Sequence, residues 1–378
     1  MTASDCSHRS DRRARLVFGG SSDGDIRYVL GLGNLENIAV LVRGGRVEVL
    51  AADMETERLR AAAARRITVR ALSSFRRAGD RGPWPALARF VKASGVRQVL
   101  VADCFPYAFG RALKAKGVGV AAVGKSVFPE RRKKTREQLR AISRAQSIAV
   151  KAMRAAAAVI GESEVARGNL LSWKGKTLGS DELRAEIEQV IFSLGAVAEG
   201  TIVSCGTASA HPHEPGSGPL IAGQPVVVDI FPRSRATGFW GDLTRTMVKG
   251  KMDRRVRAMF GAVRRARAEA LRRMRPGVRV RSLHRAAARV MEEAGFTTSM
   301  VPRAEGFIHN LGHGVGLDIH EAPVVGDVPG CLRVGDVVTV EPGLYYRNVG
   351  GVRIEDLVVV TRDGCRLLSR CTLFGEIP

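Results

Sequence analysis

The sequence is short of three things: aromatic residues, acidic charge and paired cysteines. Aromatics make up 5% of the 378 residues, which leaves few stacking platforms for single-stranded nucleic acid. The six cysteines, Cys6, Cys104, Cys205, Cys331, Cys365 and Cys371, are scattered and form no C-x-x-C pair. That spacing excludes a disulfide framework and a thiolate zinc site, and it fits a reducing cytoplasm. No apolar run approaches the length that crosses a bilayer, so no membrane partner is expected. The opening MTASDCSHRSDRRAR has no apolar core and reads as a basic tail over residues 1–14 rather than a secretory signal.

Acidic residues number 37 against 60 lysines and arginines, a formal charge of +23. A surplus of this size draws polyanions. It is spread thinly, however, and its densest runs, Arg131–Arg140 and Arg254–Arg273, read as exposed faces of amphipathic helices. A solvated surface is therefore the expectation, and a nucleic-acid site the disfavoured alternative.

Length and a hydrophobic content of 45% predict two domains. Residues 15–128 alternate strand-like and helix-like stretches, starting with a hairpin signal in NIAVLVRGGRVEVL around Gly44 and Gly45. They read as a small α/β domain. A polar junction, PERRKKTRE, opens the second domain, 129–378, with a helical pattern running to about Ile160. Helices are also predicted over residues 181–195, with Ser180 as the N-cap and Gly195 as the stop, over 253–273 and over 282–294. Between and after them lie the strand-like runs PVVVDIF, GFWGDLTRTMV, DVVTVEPGLYY and GGVRIEDLVVVT, an α+β pattern. No internal repeat is visible.

Those strand-like runs carry carboxylates where apolar side chains are expected. Asp229 follows three valines, Asp242 comes thirteen residues later, Glu341 ends VVTVEPG and Glu355 sits in GGVRIEDLVVV. Burying any one of them requires a partner or a metal. Five of the seven histidines cluster in two short stretches: His211 and His213, then His309, His313 and His320. An oxygen-rich set with one imidazole suits hard or borderline divalent ions. Two such cations allow four acids to share one site and supply an acidified water as nucleophile.

The stretch from about 135 to 375 resembles the catalytic domain of the pita-bread metallopeptidases, the group of prolidases, aminopeptidases P and creatinases. The resemblance rests on Asp229, Asp242 in DLTRT, His313 in GHGVG, Glu341 in EPG and Glu355 in RIED, all in order. It implies a C-terminal pita-bread catalytic domain holding two divalent ions, manganese first, with cobalt, iron or zinc as alternatives. Asp229 would chelate one ion, His313 and Glu341 the other, and Asp242 and Glu355 would bridge them. Glu341 would also act as general base on a hydroxide-forming water held between the ions. His320 would stabilise the reacting carbonyl or the leaving nitrogen, and His213 would line the substrate pocket, ahead of His211. His309 is left between a pocket role and a structural one. Arg353, two residues before Glu355, marks the proline-specific branch, so the expected substrate is a proline-containing peptide. DIRYVLGL at 25–32 resembles the opening of the accompanying N-terminal domain and implies a homodimer.

Two departures stand against the pattern. The two aspartates are separated by two more residues than usual, with Phe231 in place of a glycine, and Phe239 replaces a common tyrosine. An insertion of two preserves strand alternation, so both carboxylates are expected on one face. Two alternatives remain open. One is a creatinase-like amidinohydrolase, which retention of all five ligands disfavours. The other is a non-catalytic pita-bread protein that binds nucleic acid.

Overall fold

A computed structural model describes residues 13–62, 67–301 and 305–378. The chain divides into two compact units, Met1–Pro129 and Glu130–Pro378. Most of the tail read from the sequence, residues 1–12, lies outside the described residues, and the first strand already begins at Ala14.

The first unit is built on a six-stranded mixed sheet. In spatial order its strands are Ile67–Ala71, Arg46–Ala51, Ile38–Arg43, Ala14–Gly19, Gln98–Val101 and Gly119–Ala122. The predicted hairpin turns at Gly44 (φ 54°) and Gly45 (φ 80°). Two successive left-handed residues match the twist of the flanking strands, and glycine reaches that region without a Cβ penalty. Helices α1 (Gly24–Leu30) and α2 (Asp53–Ala62) join the core made by Ile26, Val40, Val49 and Leu59. Helices α3 (Trp84–Ala93) and α4 (Tyr107–Ala115) join a second core around Leu16, Leu41, Phe90 and Phe109. The 63–66 end of the predicted second helix lies outside the described residues.

The second unit stacks two helix pairs on two antiparallel-rich sheets. Helices α5 (Arg136–Glu162) and α6 (Ser180–Ser193) bury Met153, Ile160, Leu183 and Ile187 against the sheet of Ile202–Cys205, Val226–Ile230, Leu243–Lys249 and Gly375–Ile377. Helices α7 (Arg254–Arg273) and α8 (Val280–Glu293) bury Val256, Met259, Val263, Leu283 and Met291. They do so against the sheet that contains Gly312–Gly314, Val337–Val340 and Asp356–Val360. Each half thus sets one helix pair against one sheet. Among the described residues no helix is long and apolar enough to cross a membrane.

Two readings of the sequence change here. Ser180 does not cap α6; it is the first helical residue, and its hydroxyl is buried without a hydrogen bond. The cap is Gly179, whose N–H donates to the Glu182 carboxylate at 3.0 Å. Tertiary pairing decides this, because the Ser180 N–H is already bonded to Gly218 O (2.9 Å) and a Cβ on Gly179 would meet that same carbonyl. The second change concerns Arg131–Arg140. Arg131 and Lys134 are buried rather than solvated; Arg131 pairs with Asp318 and Glu321, and Lys134 with Glu321. Helix α7, in contrast, is amphipathic as read, with its arginines outward except at Arg267.

Arg267 takes part in the most deeply buried ion network of this unit. The Asp356 carboxylate, fully buried, accepts from Arg245 Nη2 at 2.8 Å and from Arg267 Nε. Arg245, itself fully buried, also donates to the carbonyls of Thr244, Glu355 and Thr372. One carboxylate therefore ties the Leu243–Lys249 strand, the Asp356–Val360 strand and α7 together. Removing one member of a buried pair leaves uncompensated charge, so Asp356→Asn is expected to destabilise the second unit by about 3–5 kcal/mol, read as a lowered urea midpoint of the metal-free protein. An unchanged midpoint would contradict this role.

Candidate metal centre

Strand periodicity places each carboxylate. Val228 and Ile230 point into the core beneath α5 and α6, so Asp229 between them points to the opposite face. Asp229 pairs across the sheet with Thr244, two residues after Asp242, which puts Asp229, Asp242 and Thr244 on one face. The additional two residues between the aspartates do not disturb this. Pro232–Ser234 forms a short strand paired with Ala196–Ala198, and a turn closed by Gly238 N to Ser234 O (2.7 Å) returns the chain. On the other sheet Val338 and Val340 face the core under α7 and α8, so Thr339 and then Glu341 face away from it. Val352 and Ile354 do the same for Arg353 and Glu355.

The result is a convergence of all five. One ligand atom each from Asp242, His313 and Glu355 lie within 4.8 Å of one another. His313 Nε2 is 3.6 Å from Asp242 Oδ2 and 3.4 Å from Glu341 Oε1. Asp229 joins through Arg353, whose Nη2 donates to Asp229 Oδ2 at 2.6 Å. Each neighbour holds one oxygen and leaves another. Thr244 Oγ1 donates to Glu355 Oε2 (2.7 Å), and Thr339 Oγ1 donates to Glu341 Oε1 (3.0 Å).

The electrostatics are those of a site built around positive charge. Burial, and then the charges of Glu355, Asp229 and Glu341, push the Asp242 carboxyl far above its ordinary range. Burial first, and then Glu341 and Asp229, do the same to Glu355. Burial lifts Glu341 to about 7, against the opposing pull of Arg353 and Thr339. Asp229 Oδ1 is buried and accepts no hydrogen bond. His313 Nδ1 lies 3.2 Å from Gly314 O, which fixes the proton there and turns the Nε2 lone pair toward the carboxylates. A lone pair, an orphaned carboxylate oxygen and three acids pressed toward neutrality fit divalent cations and suit little else.

Arg353 is the hub behind the cluster. Besides Asp229 it donates to Thr244 Oγ1 (3.1 Å), Tyr345 Oη (2.9 Å) and Pro212 O (3.2 Å). The last bond pins the turn that carries His213, which is exposed and close enough for its charge to act on Glu341. His211 is exposed on the same turn. Burial lowers the pKa of His309 to about 3 and raises that of Tyr345 to about 12. Both groups are thus neutral, and their 3.1 Å contact is a hydrogen bond from the tyrosine hydroxyl to Nε2, with His309 Nδ1 donating to Asn310 O (2.7 Å). His309 therefore ends a chain that starts at Asp229. His320 is exposed with its ring edge-on to His313, centroids 4.3 Å apart. Sequence reasoning missed Thr244, Thr339 and Tyr345. The signal for the threonines is their spacing of two from Asp242 and Glu341 on the same strand faces.

A pita-bread architecture enclosing four carboxylates and one imidazole defines a metallopeptidase. Residues 140–362 match metallopeptidase family M24, more than half of the chain, and the chain belongs to that family. Over 288 residues it is 32% identical to a Xaa-Pro dipeptidase of Pyrococcus horikoshii, a match covering 74% of this chain and 76% of the relative. It is 34% identical over 241 residues to the Xaa-Pro dipeptidase of Pyrococcus furiosus, 63% of each chain. Among solved structures it is similar to the prolidase from Pyrococcus horikoshii OT3, with a TM-score of 0.79, 27% identity and coverage of 96% of this chain and 95% of that one. The dipeptidase PepE from Mycobacterium ulcerans gives a TM-score of 0.80 at 26% identity, covering 98% and 94%.

Cation binding requires ionised carboxylates, and Glu341 is protonated below about 7. With Asp242 and Glu355 also raised, affinity for a divalent cation falls as pH drops through neutrality, by about tenfold per unit for each proton displaced, and continues to rise above it. Calorimetry in buffers of different ionisation heat will report proton release near neutrality. Binding that is independent of pH and releases no proton would contradict these shifts.

Proposed function

We propose that the protein hydrolyses the peptide bond preceding proline, with Xaa-Pro dipeptides as the first substrates to consider. The observation that carries this reading is the convergence of Asp229, Asp242, His313, Glu341 and Glu355 from two sheets on one largely buried volume. The named activity of a relative matched over about three quarters of both chains supports the proline preference. The five side chains would hold two divalent ions, manganese first, with Asp242 and Glu355 shared between them. When bound, these ions would neutralise the cluster and supply an acidified water.

The remaining chemistry belongs to the protein. Glu341 keeps one carboxylate oxygen on Thr339, and its other oxygen would take the proton of the attacking water. The bond before proline is a tertiary amide whose nitrogen carries no hydrogen. Its departure needs a proton at that nitrogen, and His320, exposed with its ring beside His313, would give it. Arg353 keeps Asp229 aimed, and His213, exposed on the turn that Arg353 pins, would contact the substrate. A homodimer belongs to the same reading. Four clustered carboxylates disfavour the metal-free amidinohydrolase alternative.

Protein loaded with Mn(II), and in parallel with Co(II), Fe(II) and Zn(II), is to be assayed on Ala-Pro, Leu-Pro and Met-Pro and on the same peptides extended beyond proline. Release of the first residue is expected; no turnover with any of the four metals overturns the reading. Glu341→Gln should lower kcat by about a hundredfold or more. His320→Ala should lower kcat while bound metal, measured by elemental analysis, stays at the parent level. Equal loss of metal in both variants would contradict the roles assigned.

A further inference from the structure

The basic junction 129–135 looks like a solvated linker in the sequence, yet two of its cations are among the least exposed in the second unit. Arg131 and Lys134 are 5% and 7% exposed. Arg131 reaches the loop between His313 and His320, and both cations reach Glu321, the residue after His320. Arg131 Nη2 lies 2.7 Å from Asp318 Oδ2 and 2.9 Å from Glu321 Oε2. Lys134 Nζ takes the other oxygen of Glu321 and is steadied by Arg131 O at 2.8 Å. Asp318 and Glu321 flank His320 at two residues before and one after.

The loop is folded around the Glu321 carboxylate. A Cβ at Gly316 would collide with both of its oxygens, and a Cβ at Gly314 would strike the carbonyl of Ala322. The glycines of GHGVG are therefore places where the returning strand passes too close for a side chain. Trp240 closes the other side, donating from its backbone N to Gly316 O (3.0 Å) and from Nε1 to Leu317 O (3.2 Å). With the backbone fixed at 316–318 and at 321, the His320 ring is set edge-on to His313.

We propose that Arg131 and Lys134 are positioning residues for His320, acting through Glu321 and Asp318. Their effect is to neutralise two carboxylates that would otherwise repel each other and open the loop. Through them, the junction segment sets the placement of the group that delivers a proton to the leaving nitrogen. Because one guanidinium nitrogen makes both Arg131 contacts, a lysine ammonium can replace it; a methionine cannot. The inference rests on the role given to His320 under the proposed function.

The test is a double-mutant cycle on the best Xaa-Pro substrate of the Mn(II) panel, with metal content measured for every variant. Arg131→Met should lower kcat by about tenfold, since a misplacement near 1 Å is worth up to about a hundredfold. KM should stay within about twofold and bound metal should be unchanged. Arg131→Lys should restore most of kcat. Lys133→Met, an exposed neighbour that removes the same charge, should behave as the parent. In the His320→Ala background, Arg131→Met should cause no further loss, the mark of an effect transmitted through His320. Additive losses, or a fall in kcat matched by lost metal, would overturn the proposal. If Arg131→Met gives no soluble protein, Lys134→Met takes its place in the same cycle. His320→Ala with undiminished kcat defeats the reading of His320 itself. A normal Arg131→Met beside an impaired His320→Ala defeats only this inference.

Discussion

Four carboxylates buried within reach of one imidazole repel one another, and burial deprives them of water that would screen the repulsion. Asp242, Glu341 and Glu355 respond by holding protons far more tightly than ordinary carboxyls, and Asp229 leans on Arg353. Such a cluster persists only if the scaffold fixes the side chains before any cation arrives. Much of the second unit is organised to do that. Two sheets turn their polar faces toward one volume, while two helix pairs bury the opposite faces in separate apolar cores.

The non-ligand letters of the two motifs are the fastenings. In DLTRT, Thr244 holds Glu355 by its hydroxyl, Arg245 holds the Glu355 carbonyl and the Asp356 carboxylate, and Thr246 exchanges hydrogen bonds with the backbone of Arg353. RIED supplies Arg353, Glu355 and Asp356 as the complement. The motifs lie on different sheets and are more than a hundred residues apart, yet they form one interlocked hydrogen-bonded unit. Its shape would be kept whatever cation occupied the centre.

How far the sequence discloses this depends on how local the cause is. Asp229, Glu341 and Glu355 betray themselves because a carboxylate on the beat of a valine-rich strand has no local excuse. The hairpin at Gly44 and Gly45 and the stop at Gly195 are likewise written in residues that adopt left-handed backbone. What stays hidden is set by distant partners. The cap of α6 falls on Gly179 because Gly218 has taken the Ser180 N–H, which propensity alone does not reveal. Arg131 reads as solvated because its partners, Asp318 and Glu321, stand 187 and 190 residues away.

The central claim concerns where cations sit, and anomalous scattering from crystals of the Mn(II)-loaded protein, recorded at the manganese edge, addresses it directly. Two peaks are predicted in the volume enclosed by the five side chains, with Asp242 and Glu355 touching both, Asp229 one, and His313 and Glu341 the other. An absence of density there, or manganese bound only elsewhere on the chain, would contradict the account.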